Sequence, residues 1–255
     1  MGAAAETSAV SEPEFPREDV FDDDYLYFYE TFLTEELSDA NTEVLWRLLE
    51  LDAGAEVLDI GSGHGRIANR LAERGARVTG LDATPLFLER AREDAARRGV
   101  EVEYVEGDMR ALPWEERFDA AFVWFTTFGY FDEEGNRRVL AEARRALRPG
   151  GRLALDVHNA LAFARNWLPV TLVERDGDLL VDRHRFDVLT GRAETERFVV
   201  RGGRVRATRY AVRFFTFTEL RDWLLAAGFS RVDGYARDGG ELRFETARMV
   251  VVATR

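Results

Sequence analysis

Three glycines and two aspartates are the residues whose types and spacing point most directly to chemistry. Gly61, Gly63 and Gly65 lie at alternate positions between a predicted strand and a predicted helix. Asp59 precedes them, and Asp82 ends the next predicted strand. Glycine allows a tight turn here and lets a ligand approach the backbone without a Cβ clash. A glycine loop alone fits a plain strand–helix turn, whereas a carboxylate at position 82 can also accept hydrogen bonds from both hydroxyls of a ribose. The combination therefore indicates a nucleotide-like ligand.

Short apolar runs and helical patterns alternate around this loop. We expect strands at 57–60, 78–81, 100–105, 120–125 and 152–157, with helices between them, one of which begins with Thr84 as its N-cap. This alternation predicts right-handed βαβ units and a parallel sheet covered on both faces. Ligands of such sheets bind at the carboxyl ends of the strands, where the glycine loop lies.

The pattern becomes β-rich after Asn159. Runs at 171–174, 179–186, 193–200 and 205–214 are separated by Asp-Gly, Thr-Gly and Gly-Gly turns, which typically join antiparallel neighbours. A helix over 218–227, with Thr216 and Glu219 at capping-box spacing, and a strand over 247–253 follow. We therefore expect an antiparallel insertion over 165–215 inside a domain formed by 51–164 and 216–255.

The first fifty residues divide into two parts. Residues 1–20 are rich in Ala, Glu, Ser and Pro, which predicts a mobile arm. Residues 21–50 are expected to form a helical cap. Tyr25 and its aromatic neighbours cannot all face one side of a helix, so we expect some to fold over the ligand as a lid; an ordinary amphipathic helix is the alternative. The acidic run 22–24 could attract a cationic amine, although such runs are usually solvated surface or helix caps.

The spacing of the glycines distinguishes two kinds of nucleotide site. A dinucleotide fingerprint requires Gly or Ala three residues after Gly63, where this chain has Arg66. The stretch VLDIGSGHGR instead resembles motif I of the class I S-adenosylmethionine-dependent methyltransferases. Further segments resemble that family in the same order, namely Gly107-Asp108-Met109, Phe118-Asp119-Ala120 and Leu147-Arg-Pro-Gly-Gly151. The likeness extends over residues 52–158 and the final helix and strand.

This resemblance implies a fold and a cofactor. The fold is an α/β, Rossmann-like seven-stranded mixed sheet with helices on both faces, and the cofactor is S-adenosylmethionine. Gly61, Gly63 and Gly65 would pass beneath the methionine part of the cofactor, and Asp59 would lie near its ammonium group. Anionic walls suit a ligand with an ammonium and a sulfonium better than they suit a phosphate.

The resemblance also assigns the adenosine part. Asp82 would hold the ribose hydroxyls and Asp108 the adenine amino group. Met109 and Ala83 would flank the adenine ring.

Aromatic residues after the fourth predicted strand are expected to border the transferred methyl group, since ligands meet the carboxyl ends of the strands. Trp124 is expected on the cofactor or in the core. Phe125 and Tyr130 are expected to line the site, where aromatic faces attract a sulfonium. His158, after the fifth strand, is a candidate general base, and a strand-end histidine bonded to the backbone is the alternative. His184 is expected on a solvated face of the insertion.

Composition limits the partners. The chain has 255 residues, a formal net charge of −12 and no cysteine. The charge disfavours nucleic acid and anionic membrane surfaces, and the absence of cysteine excludes disulfides and thiol catalysis. No apolar run approaches the length of a membrane span, and no metal-ligand spacing is visible. We expect a cytoplasmic protein. The arginines at 201, 204, 206 and 209 are expected to face solvent.

A narrower resemblance concerns the acceptor. The TFGYF-type segment, the aromatic cap and the β insertion resemble small-molecule N-methyltransferases of bacterial secondary metabolism, which act on amino sugars and lincosamide-like amines. The expected function is methyl transfer to a small-molecule acceptor, with an amine nitrogen preferred over a hydroxyl oxygen because of the acidic lid residues. The alternatives are an RNA or protein methyltransferase and a non-catalytic S-adenosylmethionine-binding regulator. Exposed strands of the insertion suggest a homodimer.

Overall fold

Seven strands form the larger sheet of the computed structural model, which describes residues 15–255. They are β1 (Glu56–Ile60), β2 (Arg77–Asp82), β3 (Val102–Glu106), β4 (Phe118–Val123), β5 (Leu147–His158), β10 (Arg231–Ala236) and β11 (Arg248–Thr254). The order is β10-β11-β5-β4-β1-β2-β3. β1 to β5 are parallel, β11 is antiparallel to β5, and β10 is antiparallel to β11. The expected Rossmann-like seven-stranded mixed sheet is confirmed.

Helices pack on both faces of this sheet because alternate residues of its central strands point to opposite sides. Ala121 and Val123 of β4 belong to one buried cluster, whereas Phe122 and Trp124 belong to another. The first cluster packs against α6 (Glu133–Ala146) and α8 (Phe217–Ala226), and the second packs against α3 (Glu35–Leu48), α4 (Ala68–Glu73) and α5 (Pro85–Arg98). The core therefore has two layers, one on each face of the sheet.

The structure differs from the sequence prediction at several strand boundaries. β4 ends at Val123, so Trp124 and Phe125 leave the sheet and enter the loop above it. β5 begins at Leu147 and includes the predicted turn 148–151, with a register shift opposite Phe118. The edge strand β10 was not predicted, because Arg231–Ala236 includes Arg, Asp and Gly and lacks an apolar run. The short helix α7 (Ala160–Arg165), which Asn159 caps, was also not predicted.

The predicted insertion forms a separate antiparallel sheet. Its strands are β6 (Val170–Arg175), β7 (Asp178–Asp187), β8 (Arg192–Arg201) and β9 (Arg204–Arg213), in that order. The β6–β7 turn has positive φ at Asp176 and Gly177, as a two-residue hairpin of this kind requires. Cross-strand neighbours share a face, so Thr171, Asp182 and Arg197 lie on the inner face, toward the larger sheet.

The N-terminal segment (residues 15–33) packs between the two sheets. Most of the predicted arm, residues 1–14, lies outside the described residues. Over 15–20 the structure has α1 (Arg17–Val20) instead, because Val20 is buried and the ring of Phe15 lies 4.4 Å from that of Tyr130. α2 (Asp23–Tyr29) follows, and the side chain of Asp22 accepts from the backbone N–H of Tyr25 at its start. In the described part of the chain, no helix is long and apolar enough to cross a membrane.

Candidate active site

A cavity of about 1200 Å³ lies at the carboxyl edge of the parallel strands. The glycine loop and β2 form its floor, the N-terminal segment covers one side, and the inner face of the four-stranded sheet closes another. Of the residues proposed from the sequence, the cavity is lined by Tyr25, Asp59, Gly61, Gly63, Asp82, Ala83, Asp108, Met109, Trp124, Phe125, Tyr130 and His158. Gly65 is not among its lining residues. The structure therefore gathers almost the whole predicted set around one space.

The glycine loop needs its glycines for two different reasons. Gly61, Gly63 and Gly65 all have positive φ, which favours glycine. A Cβ at Gly61 would lie 2.2 Å from the Cγ2 of Thr127 across the cavity floor. A Cβ at Gly65 would lie 2.2 Å from the Oη of Tyr104 in β3. Besides their positive φ, Gly61 and Gly65 thus permit Thr127 and Tyr104 to pack closely against the loop.

Asp82 ties the end of β2 to this loop. Its Oδ2 accepts from the N–H of Gly63 at 2.8 Å, and its Oδ1 accepts from the N–H of Thr84 at 2.8 Å. Burial raises the pKa of Asp82, and these two N–H groups oppose that rise. Thr84 occupies the N-cap position of α5 as expected, but its side chain makes no capping hydrogen bond.

Asp59 is the more isolated carboxylate. It is only 3% exposed, and burial together with the neighbouring Asp82 raises its pKa well above the usual value. Arg66 acts in the opposite direction. A cation placed in this part of the cavity would favour the ionised form of both aspartates.

Asp108 and Met109 lie on the far side of the glycine loop. The carboxylate of Asp108 pairs with Arg110 at 2.6 Å, and this pairing lowers its pKa. The Cε of Met109 lies 3.3 Å from the position of a Cβ on Gly61. A flat ring can therefore be flanked by the thioether here, while Asp108 stays an ionised acceptor at the rim.

A strained loop forms the wall above β4. Phe125 and Thr126 are consecutive non-glycine residues with φ of 59° and 62°, in the left-handed region. The fully buried Asp156 holds them in place, because its Oδ2 accepts from the N–H of Phe125 at 3.0 Å and its carbonyl accepts from the N–H of Thr126 at 3.2 Å. Arg248 pairs with the same carboxylate at 2.9 Å. Sequence reasoning missed both Asp156 and Arg248.

Aromatic rings from the N-terminal segment cover the cavity. Tyr25 stacks on Tyr29 with ring centroids 4.3 Å apart, and its ring lies 5.5 Å from that of Phe87 in α5. Burial raises the pKa of Tyr25 and of Tyr130, so both phenols are neutral at physiological pH. Two polar atoms in the lining, the Oγ of Ser62 and the Nε1 of Trp124, are buried and have no hydrogen-bond partner among residues 15–255.

The acidic run does not face the cavity as a free anionic surface. Asp24 pairs with Arg201 at 2.8 Å and with Arg206 at 2.9 Å, and Asp22 also pairs with Arg206. Arg204 and Arg209 are exposed, as expected. Arg201 and Arg206 are only half-exposed, and they attach α2 to the four-stranded sheet. The suggestion that this run attracts a cationic amine loses its basis for the same reason.

The inner face of the small sheet adds a polar wall that the sequence did not identify. Asp182 and Arg197 form a buried ion pair at 2.7 Å, and the Nη2 of Arg197 also donates to the hydroxyls of Tyr29 and Tyr210. His184 lies on the same face, with one ring nitrogen 3.1 Å from the Oγ1 of Thr171 and the other 3.0 Å from the Oγ1 of Thr195. The expectation that His184 lies on a solvated face is wrong, because the alternation of β7 turns it toward the cavity.

His158 lines the cavity but is poorly suited to accept a proton. Its Nε2 accepts from Arg248 at 3.1 Å, and its ring stacks on Phe214 at 4.9 Å. Burial and the charge of Arg248 lower its pKa to about 3. The side-chain partner also differs from the backbone hydrogen bond considered from the sequence.

Comparisons with known proteins agree with this geometry. Residues 57–151 match a family model described as a methyltransferase domain. The demethylmenaquinone methyltransferase of Thermus thermophilus is 37% identical over 131 residues, which are 48% of this chain and 58% of that protein. The chain spans about half the length of the curated relatives it matches, from 44% to 58% for three of them.

Solved structures extend the likeness over most of the chain. The CcbJ methyltransferase of Streptomyces caelestis is 26% identical, with a TM-score of 0.73 over 85% of this chain and 89% of that one. CalS10, an amino pentose methyltransferase of Micromonospora echinaspora solved with bound S-adenosylmethionine, is 25% identical, with a TM-score of 0.66 over 93% of this chain and 99% of that one. Residues 57–151 therefore match a methyltransferase domain, and the resemblance of the motifs to those of S-adenosylmethionine-dependent methyltransferases is confirmed.

The strained wall provides a stability test. Asp156→Asn leaves two partly buried arginines, Arg248 and Arg237, without their buried carboxylate, since Arg237 also lies 3.9 Å from Asp156. We expect a loss of about 3 kcal/mol in the free energy of unfolding. Denaturant unfolding measures this loss. The matched control is Asp222→Asn, which removes an exposed ion pair with Arg221 and should cost below about 1 kcal/mol. Equal losses for the two variants would contradict the role given to Asp156.

Proposed function

We propose that this chain transfers a methyl group from S-adenosylmethionine to an amine nitrogen of a small molecule. The observation that carries the proposal is the single cavity, in which the glycine loop with Asp59 and Asp82 faces the inner wall of the inserted sheet. One end thus has the residues for an adenosyl ligand, and the other has room for a second molecule. The likeness to CalS10, an amino pentose methyltransferase, supports an acceptor of that general kind.

The residues of the floor fit the cofactor. Asp59 is a buried carboxylate without a hydrogen-bond donor of its own among the described residues, which suits the ammonium group. Asp82 would accept from the ribose hydroxyls with its remaining lone pairs, and Asp108 and Met109 would hold the adenine ring at the rim. When bound, the cofactor supplies an electrophilic methyl group on a positively charged sulfur.

Alignment is then the main contribution of the protein. Tyr25, Phe125 and Tyr130 form an aromatic wall that excludes water and tolerates a positive charge near its ring faces. Holding the acceptor in line with the methyl group can supply about 7–11 kcal/mol through effective molarity. The strained loop held by Asp156 fixes the position of Phe125 within this wall.

The chemistry of the cavity supports nitrogen over oxygen. A hydroxyl acceptor needs a base to remove its proton, whereas the neutral fraction of an amine already has a free lone pair. The candidate bases are engaged elsewhere: His158 accepts from Arg248, both ring nitrogens of His184 have threonine partners, and Asp182 is paired with Arg197. The nitrogen lone pair would form the new bond as the carbon–sulfur bond breaks, and the amine proton would leave to water.

Binding and turnover test the proposal together. Titration calorimetry should show S-adenosylhomocysteine binding to the wild type, and Asp82→Ala should weaken that binding by about 10- to 100-fold, since hydrogen bonds to a charged group contribute about 1.5–3 kcal/mol. Mass spectrometry of products from a panel of amino sugars and matched hydroxy sugars should then find the methyl group on nitrogen.

Three results would contradict it. Methyl groups found only on oxygen would exclude the amine acceptor. Binding of the cofactor and its product without turnover of any acceptor would favour a regulator. Methylation of labelled RNA or of a protein would exclude a small-molecule enzyme, although the net charge of −12 disfavours RNA.

The pH dependence of turnover tests the role of His158. With a pKa lowered to about 3, this histidine is already neutral throughout the physiological range, so its titration should not appear in the rate. We expect kcat/KM to rise with pH only as the acceptor amine loses its proton, with the same midpoint in the wild type and in His158→Gln. A limb near pH 6.5 that is present in the wild type and absent from the variant would restore His158 as the base.

A second copy of the chain is the partner we propose for the outer face of the small sheet. This face presents two cross-strand rows of apolar side chains, Leu172-Val181-Phe198-Ala207 and Leu179-Val200-Val205. None of these residues is buried, and Leu172 and Val205 are 58% and 69% exposed. Such a face packs well against its own copy about a twofold axis, as sheets do in sandwiches.

Sedimentation velocity tests this assembly. The wild type should sediment as a dimer of the 29.0 kDa chain. Leu172→Arg should shift it toward the monomer, because the introduced arginines of the two copies would be buried close together and would repel each other. Leu189→Arg, in the exposed β7–β8 turn, is the control and should leave the dimer intact. A monomeric wild type at micromolar concentration would rule the assembly out.

A further inference from the structure

Arg66 is a buried cation without a carboxylate partner. It directly follows Gly65, is 9% exposed, and lines the cavity. Within residues 15–255, the only hydrogen bond of its guanidinium runs from Nη1 to the Oγ of Ser38 at 3.3 Å, and the guanidinium faces the ring of Phe125 at 5.5 Å. No ion pair joins it to a carboxylate of the described chain.

Two other arginines that are buried to this extent, Arg70 and Arg197, are neutralised by carboxylates. Arg70, four residues along the chain, pairs with Asp39 at 2.7 Å and with Glu35 at 2.5 Å. Arg197 pairs with Asp182 at 2.7 Å. A buried charge without a partner is costly, so a site that keeps one is suited to an anionic group of a ligand.

The surroundings of Arg66 further favour the binding of an anionic group next to it. Burial and the nearby charge of Arg237 lower its pKa to about 10. Asp59, on the same part of the wall, is perturbed in the opposite sense, with its pKa raised by burial and by Asp82. The cavity thus presents one under-compensated cation beside one under-compensated anion, which is the complement of an α-amino acid in its zwitterionic form.

We propose that Arg66 binds the carboxylate at the amino-acid end of the methyl donor, beside the ammonium group that Asp59 holds. This assignment rests on the proposed function. An acceptor carboxylate is the other possible source of the anion, but Arg66 adjoins the glycine loop and Asp59, whereas the wall contributed by the small sheet bears Asp182, His184 and Tyr210. The face of Phe125 orients the guanidinium plane toward the loop.

Calorimetry with two nucleosides tests the assignment. S-Adenosylhomocysteine carries the amino-acid end, whereas 5′-methylthioadenosine has the same adenosine and lacks it. Arg66→Met should weaken binding of S-adenosylhomocysteine by about 10- to 100-fold and leave binding of 5′-methylthioadenosine unchanged, because only the charge-assisted hydrogen bonds to the carboxylate are lost. Arg66→Lys should recover part of the affinity. The control is Arg74→Met, at the C-cap of α4, where Arg74 pairs with Glu43; this variant should bind both nucleosides as the wild type does.

Thermal unfolding of the ligand-free protein gives a second readout. Arg66→Met should melt at or above the wild-type temperature, since an apolar side chain replaces a buried unpaired charge, and it should lose most of the upward shift that S-adenosylhomocysteine gives the wild type. If Arg66→Met lost the same affinity for both nucleosides, Arg66 would have a structural role and the assignment would be overturned. Wild-type affinity of this variant for S-adenosylhomocysteine would overturn it as well. A wild type that binds neither nucleoside would instead refute the proposed function.

Discussion

Two carboxylates at the ends of adjacent parallel strands, the buried Asp59 and the half-buried Asp82, are the constraint on which the site depends. Burial raises the pKa of both Asp59 and Asp82, and the neighbouring Asp82 further disfavours ionisation of Asp59. Desolvation of these carboxylates is unfavourable in the ligand-free protein. The attraction of a cation that enters between them offsets this penalty. These carboxylates therefore attract a nucleoside that carries a sulfonium and an ammonium group, whereas they would repel a phosphate ligand. The glycine loop adds backbone without side chains, at Gly61 and Gly63, to the lining of the same cavity.

The second constraint is the connection between the core and the cover. Asp156 lies in the central sheet and holds two left-handed residues of the loop above it. The Phe125 side of the cavity is therefore fixed by the Asp156–Arg248 ion pair rather than by loop packing alone. The cover is attached differently. Arg201 and Arg206 of the small sheet hold α2 through half-exposed ion pairs, which are weak individually and can open. A rigid wall and a more weakly held cover suit a cavity that must admit two molecules.

Short sequence motifs were sufficient to predict the parts of the site whose residues are close together in the chain. The glycine loop, the strands that flank it and the aspartates at 59 and 82 follow from short motifs, and the structure brings them to one edge. The insertion was harder, because period-two alternation identifies two faces without saying which one packs inward. His184 and the Asp182–Arg197 pair were missed for that reason, and so were the partners of the acidic run, which are nearly 180 residues away along the chain. From the sequence, Arg66 is notable only because it departs from the dinucleotide fingerprint. Its burial without a counter-ion depends on tertiary packing, which the sequence motif does not reveal.

A crystal structure with bound S-adenosylhomocysteine is the most direct test of the central claim. The account predicts the ribose at Asp82, the adenine ring between Met109 and the rim at Asp108, and the ammonium group beside Asp59. A complex in which the glycine loop stays empty, or in which a phosphate group occupies the space beside Asp59, would contradict it.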